Sequence, residues 1–234
     1  MVLVQAIAQI RHWRDGGFGS HTTVRALRGR LPRFLPNLDS NQVKEIIAST
    51  IKRTTEIVED ERSWSIDIPT RAQLEWAASM LAAFQAIRPH VDTEDEAIDF
   101  LAQALLDSTN TLARRFFSRC LPKAIMKHRR RAGVAMNAFL PQYGTPWHWR
   151  GETRADGGVN VIAKRCFYHG FMTAHGEPGL TRVFCRLDTA WTDPLLKKQR
   201  GIGFKVDEHT SLANGDGQCC FPMVHLKVSA AATR

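Results

Sequence analysis

The last third of the chain gathers side chains able to do covalent and acid–base chemistry. Cys166 closes the segment VNVIAKRC, Cys185 and Asp188 stand three apart in FCRLD, and Cys219 follows the turn-rich ANGDG. Three residues is close to one helical turn, so a helix presents Cys185 and Asp188 on one face. Cys220, the neighbour of Cys219 on a strand, must point to the opposite side. A thiol deprotonated by nearby positive charge is a nucleophile, and a carboxylate one turn away can move protons. Arg165, Arg182 and Arg186 are close to these thiols in sequence and could supply that charge or hold an anionic substrate. Tyr168 and His169 follow Cys166 directly, and His169 is a candidate acid–base or ligand-binding group. Each choice has a plainer counterpart. Cysteine is among the most buried residue types and often only packs, the arginines can form a solvated basic face, and His175 reads as a structural histidine. The paired C-x-x-C spacing of a zinc ribbon does not occur. Metal binding is therefore left open, and no cofactor is implied.

Two kinds of element are needed to carry these residues. VNVIAKRCF alternates as a strand does, whereas Leu180, Phe184 and Leu187 recur at helical spacing after Pro178-Gly179. GFKVDEHTSL and QCCFPMVHLKV flank Asn214-Gly215-Asp216-Gly217, a strong turn signal that predicts a hairpin. Upstream the pattern is helix after helix. Asp39 or Ser40 caps a helix with apolar positions Val43, Ile46, Ile47, Ile51 and Ile57. Pro69 opens another, with Leu74, Ala78 and Leu81 as its buried stripe. Thr93 and Glu96 form a capping box ahead of Ile98, Leu101, Leu105, Leu112 and Phe116, a stripe that Pro122 interrupts. The stretch QYGTPWHWRGETRADGG reads as the connection into the second region. The expected class is α+β: a helical N-terminal half, then a small antiparallel sheet with an inserted helix. Residues 1–140 form the helical region and 141–234 the region with the Cys/Asp motifs, either as two domains or as one compact unit.

Composition narrows the function classes. The chain has 234 residues, 44% hydrophobic and 24% charged, which is ordinary for a globular protein. No apolar run approaches the roughly 20 residues that cross a bilayer. The opening MVLVQAIAQIRHWRDGG lacks a basic n-region and a cleavage site, so it is read as an amphipathic helix of a cytoplasmic protein. Five cysteines are an odd number, which argues for reduced thiols over a disulfide scaffold. The net charge of +9 favours an anionic partner, whether a carboxylate metabolite, a phosphate, nucleic acid or anionic lipid, without choosing among them. KHRRR at 127–131 and TPWHWRG suggest nucleic acid only weakly, since a solvated face for the first and a pocket lid or packed linker for the second are the better accounts. GGFGS and GIGF lack the context of a phosphate loop. The oligomeric state is not legible.

The segments VNVIAKRCFYHGF, PGLTRVFCRLDTAW and FKVDEHTSLANGDGQCCFPM together resemble the conserved end of the L-2-amino-thiazoline-4-carboxylic acid hydrolase family. Its pattern is a strand ending in Cys-x-Tyr, a helix with Cys-x-x-Asp and a hairpin with Gly-x-x-x-Cys-x-Phe. Here these are Cys166 with Tyr168, Cys185 with Asp188, and Gly215 with Cys219 and Phe221. Cys220 stands where an acidic residue is expected and Pro222 where a basic one is common, departures that bear on substrate identity and not on fold. The resemblance implies a ring-opening hydrolase, acting at a C–S or C–N bond of a carboxylate-bearing heterocycle. Cys185, Asp188, Cys219 and Cys166 would be the catalytic set, with Arg165, Tyr168, His169, Arg182 and Arg186 binding substrate. A more distant likeness to 4-vinyl-reductase-type domains, which share the Gly-x-x-x-Cys-x-Phe ending, offers a small-ligand sensor without turnover as the alternative.

Overall fold

The structure is a computed structural model that describes residues 17–108, 134, 137, 140–190, 203–204 and 209–224. The expected opening helix over 1–16, Leu112, Phe116, Cys120, Pro122 and the KHRRR run lie outside the described residues. The chain divides into two compact units. The first comprises Met1–Thr109, Tyr143–Pro146 and Phe167–Phe184, the second Asn110–Gln142, Trp147–Cys166 and Cys185–Arg234.

In the first unit, α1 (Gly17–Phe34), α2 (Ser40–Asp60), α4 (Glu94–Ser108) and the short α5 (Phe167–Ala174) pack against α3 (Ile68–Ile87). The sequence of α3 explains its central place. ASMLAAFQAI is apolar on nearly every side, as a surrounded helix must be, and Ala77, Ala78, Met80, Leu81 and Ala83 are fully buried. The predicted stripe of Leu74, Ala78 and Leu81 lies within this core. The aromatic rings of Phe34 and Phe100 stack at 4.1 Å where α1 meets α4. On α2 the buried positions are Ile46, Ile47, Thr50, Thr54 and Ile57, while Ile51 is 46% exposed. Threonines can sit on the buried stripe because their hydroxyls donate to carbonyls one turn back, Thr50 to Ile46 at 2.8 Å and Thr54 to Thr50 at 2.7 Å.

The helix starts follow capping chemistry. Asp39 caps α2 in a reciprocal box with Gln42, and Asp67 caps α3 in another with Thr70, just ahead of Pro69. At α4 the Thr93 hydroxyl accepts from the Glu96 N–H at 3.1 Å, but the Glu96 carboxylate reaches back to Asp92 N–H rather than to Thr93. Asp67 has a second task. Its carboxylate also accepts from the Thr145 N–H at 2.7 Å and the Thr145 hydroxyl at 2.9 Å, fastening Tyr143–Pro146 to the start of α3.

The second unit holds an antiparallel sheet of four strands in the order β1-β2-β4-β3. They are β1 (His148–Thr153), β2 (Val159–Arg165), the two-residue β3 (Gly203–Phe204) and β4 (Cys219–Val224). β1 lies within the stretch expected to be only a connection. Its exposed–half-buried–exposed pattern, with Gly151 the one buried position, is that of an edge strand without apolar alternation. Gly158 leads from the β1–β2 turn into β2, and a Cβ there would stand 2.2 Å from the Met223 carbonyl oxygen. The architecture is the expected α+β, helical first and then a small antiparallel sheet. Between β2 and β3 the helix carrying FCRLD, α6 (Thr181–Ala190), is preceded by α5 and a 3-10 turn at Pro178–Leu180. The predicted hairpin is present as a wide one. Ser211 caps a 3-10 turn at Leu212–Asn214, which Gly215 ends in the left-handed region at φ 86°.

Candidate functional site

Register decides which side chains of the second unit share a face. Trp149 pairs with Ala163 and Ala163 with Cys219, while Gly151 pairs with Val161 and Val161 with Phe221. Residues directly opposite point the same way, so Trp149, Ala163, Val161, Cys219 and Phe221 line one face. It is the apolar face: Ala163, Val161, Cys219 and Phe221 are all buried. Arg150, Ile162 and Cys220 belong to the other face, which separates the two adjacent thiols.

The segment before the hairpin turn extends this face. Thr210 exchanges both backbone hydrogen bonds with Cys220, at 3.2 and 3.0 Å. That pairing sets Ser211 opposite Cys219 and His209 opposite Phe221, and the rings of His209 and Phe221 are indeed 4.5 Å apart. The Cys185 Sγ on α6 lies 3.3 Å from the Ser211 Oγ. The next residue, Leu212, donates its N–H to the Cys219 Sγ at 3.3 Å. Thiols from a helix and from a strand thus meet successive residues of one turn. Ser211 is itself held: its N–H donates to Asp216 Oδ2 at 2.7 Å, and its hydroxyl accepts from the Ala213 N–H at 3.2 Å. With that lone pair engaged, the Ser211 hydroxyl proton can point to the Cys185 sulfur, and a donor at sulfur favours the thiolate.

Cys166, Cys185, Cys219 and Cys220 are all present as thiols. Cys219 is buried, whereas Cys185, Cys166 and Cys220 are half-buried. Cys166 directly follows β2, and Arg165, the last residue of that strand, is exposed. Asp188 stands one turn beyond Cys185 on α6, with its side chain outside the described residues. Arg186 is exposed on the same helix. Among the described residues, no three His, Cys, Asp or Glu side chains are grouped to hold a metal ion, and no helix is long and apolar enough to cross a membrane.

The other predicted residues belong to the first unit. Tyr168 is buried, its ring stacked on Phe184 at 3.9 Å with Trp76 edge-on to both. Arg182 pairs with Asp95 and donates to the Gly179 carbonyl at 3.2 Å. The His169 Nδ1 is 3.5 Å from the Thr181 hydroxyl, and burial lowers the His169 pKa below the ordinary histidine value. His175 lies beside the Phe171 ring, with its Nε2 3.5 Å from Glu61.

Sequence reasoning passed over His209. Burial holds its imidazole below the ordinary histidine range, with the Asp216 charge pulling the other way. Its Nε2 is buried with no hydrogen-bond partner among the described residues. The signal was the turn itself: an Asn-Gly hairpin brings the residues before it beside those after it, and so His209 beside the Cys219 strand.

The family model described as L-2-amino-thiazoline-4-carboxylic acid hydrolase matches residues 71–222, well over half of the chain. The chain belongs to this family. The match begins within α3 and ends on β4, so it spans Cys166 with Tyr168, Cys185 with Asp188, and Gly215 with Cys219 and Phe221. No curated protein and no solved structure gives a significant match. Membership in the 2-aminothiazoline-carboxylate hydrolases is membership in a family of hydrolases with a small-molecule substrate.

Proposed function

We propose that the protein opens a small, anionic, carboxylate-bearing heterocycle of the 2-aminothiazoline-carboxylate type by thiol chemistry. The observation that carries this reading is the 3.3 Å approach of Cys185 Sγ to Ser211 Oγ, beside the N–H donated to Cys219. Cys185 is the better nucleophile, because it is half-buried where Cys219 is buried, and a reactive thiol must be reached. Its thiolate attacks the ring carbon between nitrogen and sulfur. The C–S ring bond breaks with its electron pair on the ring sulfur, which takes a proton and leaves as the substrate's own thiol. An isothiourea then joins the enzyme sulfur to the opened substrate, and water resolves it to a urea of the N-carbamoyl-cysteine kind. Asp188, one turn from Cys185, is the proton shuttle for the first half. Cys219 and Cys166 are supporting thiols. Arg165 and Arg186, in the same unit, are the proposed holders of the substrate carboxylate. Cleavage at a ring C–N bond is the other outcome of water adding at that carbon.

The test is direct. The full-length protein is given 2-aminothiazoline-4-carboxylate and close relatives, and released thiol is followed with a colorimetric reagent. Catalytic thiol release is expected. Binding across the panel without turnover would overturn the hydrolase reading and leave a sensor.

A further inference from the structure

We infer that His209 is the acid–base group that activates the resolving water at this thiol site, an assignment that rests on the hydrolase reading above. Three observations place it. The pairing of Thr210 with Cys220 puts His209 and Ser211 on one side of an extended segment, two residues apart. Ser211 is the residue that contacts Cys185, so the imidazole is a neighbour of the thiol partner on the same face. The Phe221 ring, 4.5 Å away, fixes one side of the imidazole on the face that also carries Cys219. Meanwhile Nε2 is buried without a hydrogen-bond partner among the described residues. A buried polar nitrogen left so costs free energy that a water or a substrate atom would recover. Burial also holds the imidazole below the ordinary histidine value against the pull of Asp216, which favours the neutral form that accepts a proton.

The step balances as follows. The water oxygen bonds to the isothiourea carbon, and one of its protons passes to His209 Nε2 while the other ends on the substrate nitrogen. The bond from carbon to the enzyme sulfur then breaks with its pair on sulfur, and the imidazolium returns its proton there. The urea product and the Cys185 thiol result.

This assignment separates the two half-reactions, which gives it a signature that a packing role lacks. In the full-length His209→Gln protein the first half should survive. Intact mass should show one equivalent of substrate joined to the enzyme, with Cys185 lost to alkylation as the ring sulfur is freed in its place. Steady turnover should fall by about 100-fold or more. In His209→Ala, added imidazole should restore part of the turnover. Steady rates within about threefold of the parent would overturn the assignment, as would a loss of turnover with neither adduct nor imidazole rescue. Failure of the parent protein itself to release thiol would instead sink the hydrolase reading, so the two failures are told apart by which protein shows them.

Discussion

The Cys185 sulfur and the Ser211 hydroxyl oxygen lie 3.3 Å apart, although 26 residues separate them in the chain. Ser211 reaches that position because its main chain is fixed from two sides, by Asp216 on its N–H and by the turn that its own hydroxyl caps. The contact joins the helix with the Cys-x-x-Asp motif to the hairpin with the Gly-x-x-x-Cys-x-Phe motif.

Replacing Ser211 by Ala removes both the cap and the partner of Cys185. The loss of a cap costs about 1 kcal/mol, a modest drop in melting temperature. Alkylation of Cys185 by iodoacetamide at neutral pH should also slow, the outcome expected when the Ser211 hydroxyl donates to the sulfur and so favours the thiolate. Peptide mapping of the labelled protein measures it, and an unchanged or faster rate would mean that Ser211 accepts from the thiol instead.

Much of this arrangement is legible from the sequence and some of it is not. The Asp39 cap, the Leu74–Ala78–Leu81 stripe, the strand before Cys166 and the helix with Leu180, Phe184 and Leu187 all announce themselves through local chemistry. Ile51 misleads because an apolar residue at helical spacing need not be buried when Thr50 and Thr54 can satisfy their hydroxyls within the helix. β1 is hidden for the opposite reason: an edge strand needs hydrogen bonds on one side only, and WHWRGET shows no apolar alternation. His209 is invisible to spacing because its place comes from cross-strand pairing over the turn.

Asp67 gives the acid side of stability a specific origin. Burial by itself would raise its pKa, but hydrogen bonds from Thr145 and Thr70 outweigh that and hold it below the ordinary value of 3.8. With the folded value below the unfolded one, the carboxylate contributes stability above the unfolded value, and this is lost as pH falls through the folded value. Asp67→Asn should therefore be less stable than the parent at pH 7, with the gap closing at lower pH. Urea unfolding at a series of pH values reads this, and a gap that widens on acidification would contradict it.

Gly158, just ahead of β2, lies against the Met223 carbonyl of β4. A Cβ there would meet the Met223 carbonyl oxygen at 2.2 Å, and a backbone atom cannot swing aside as a side chain does. Gly158→Ala should cost about 1–3 kcal/mol. Chemical denaturation provides the number, and a variant as stable as the parent would mean that the strands separate there at little cost.

The most direct measurement is thiol release from 2-aminothiazoline-4-carboxylate by the parent protein and by Cys185→Ser, with melting temperatures taken in parallel. Serine keeps the shape but is a far weaker nucleophile at neutral pH. Cys185→Ser should lose turnover by several orders of magnitude while melting close to the parent, with Cys220→Ser, on the other face of the sheet, retaining most of the activity. Near-normal turnover in Cys185→Ser would contradict covalent catalysis at this thiol.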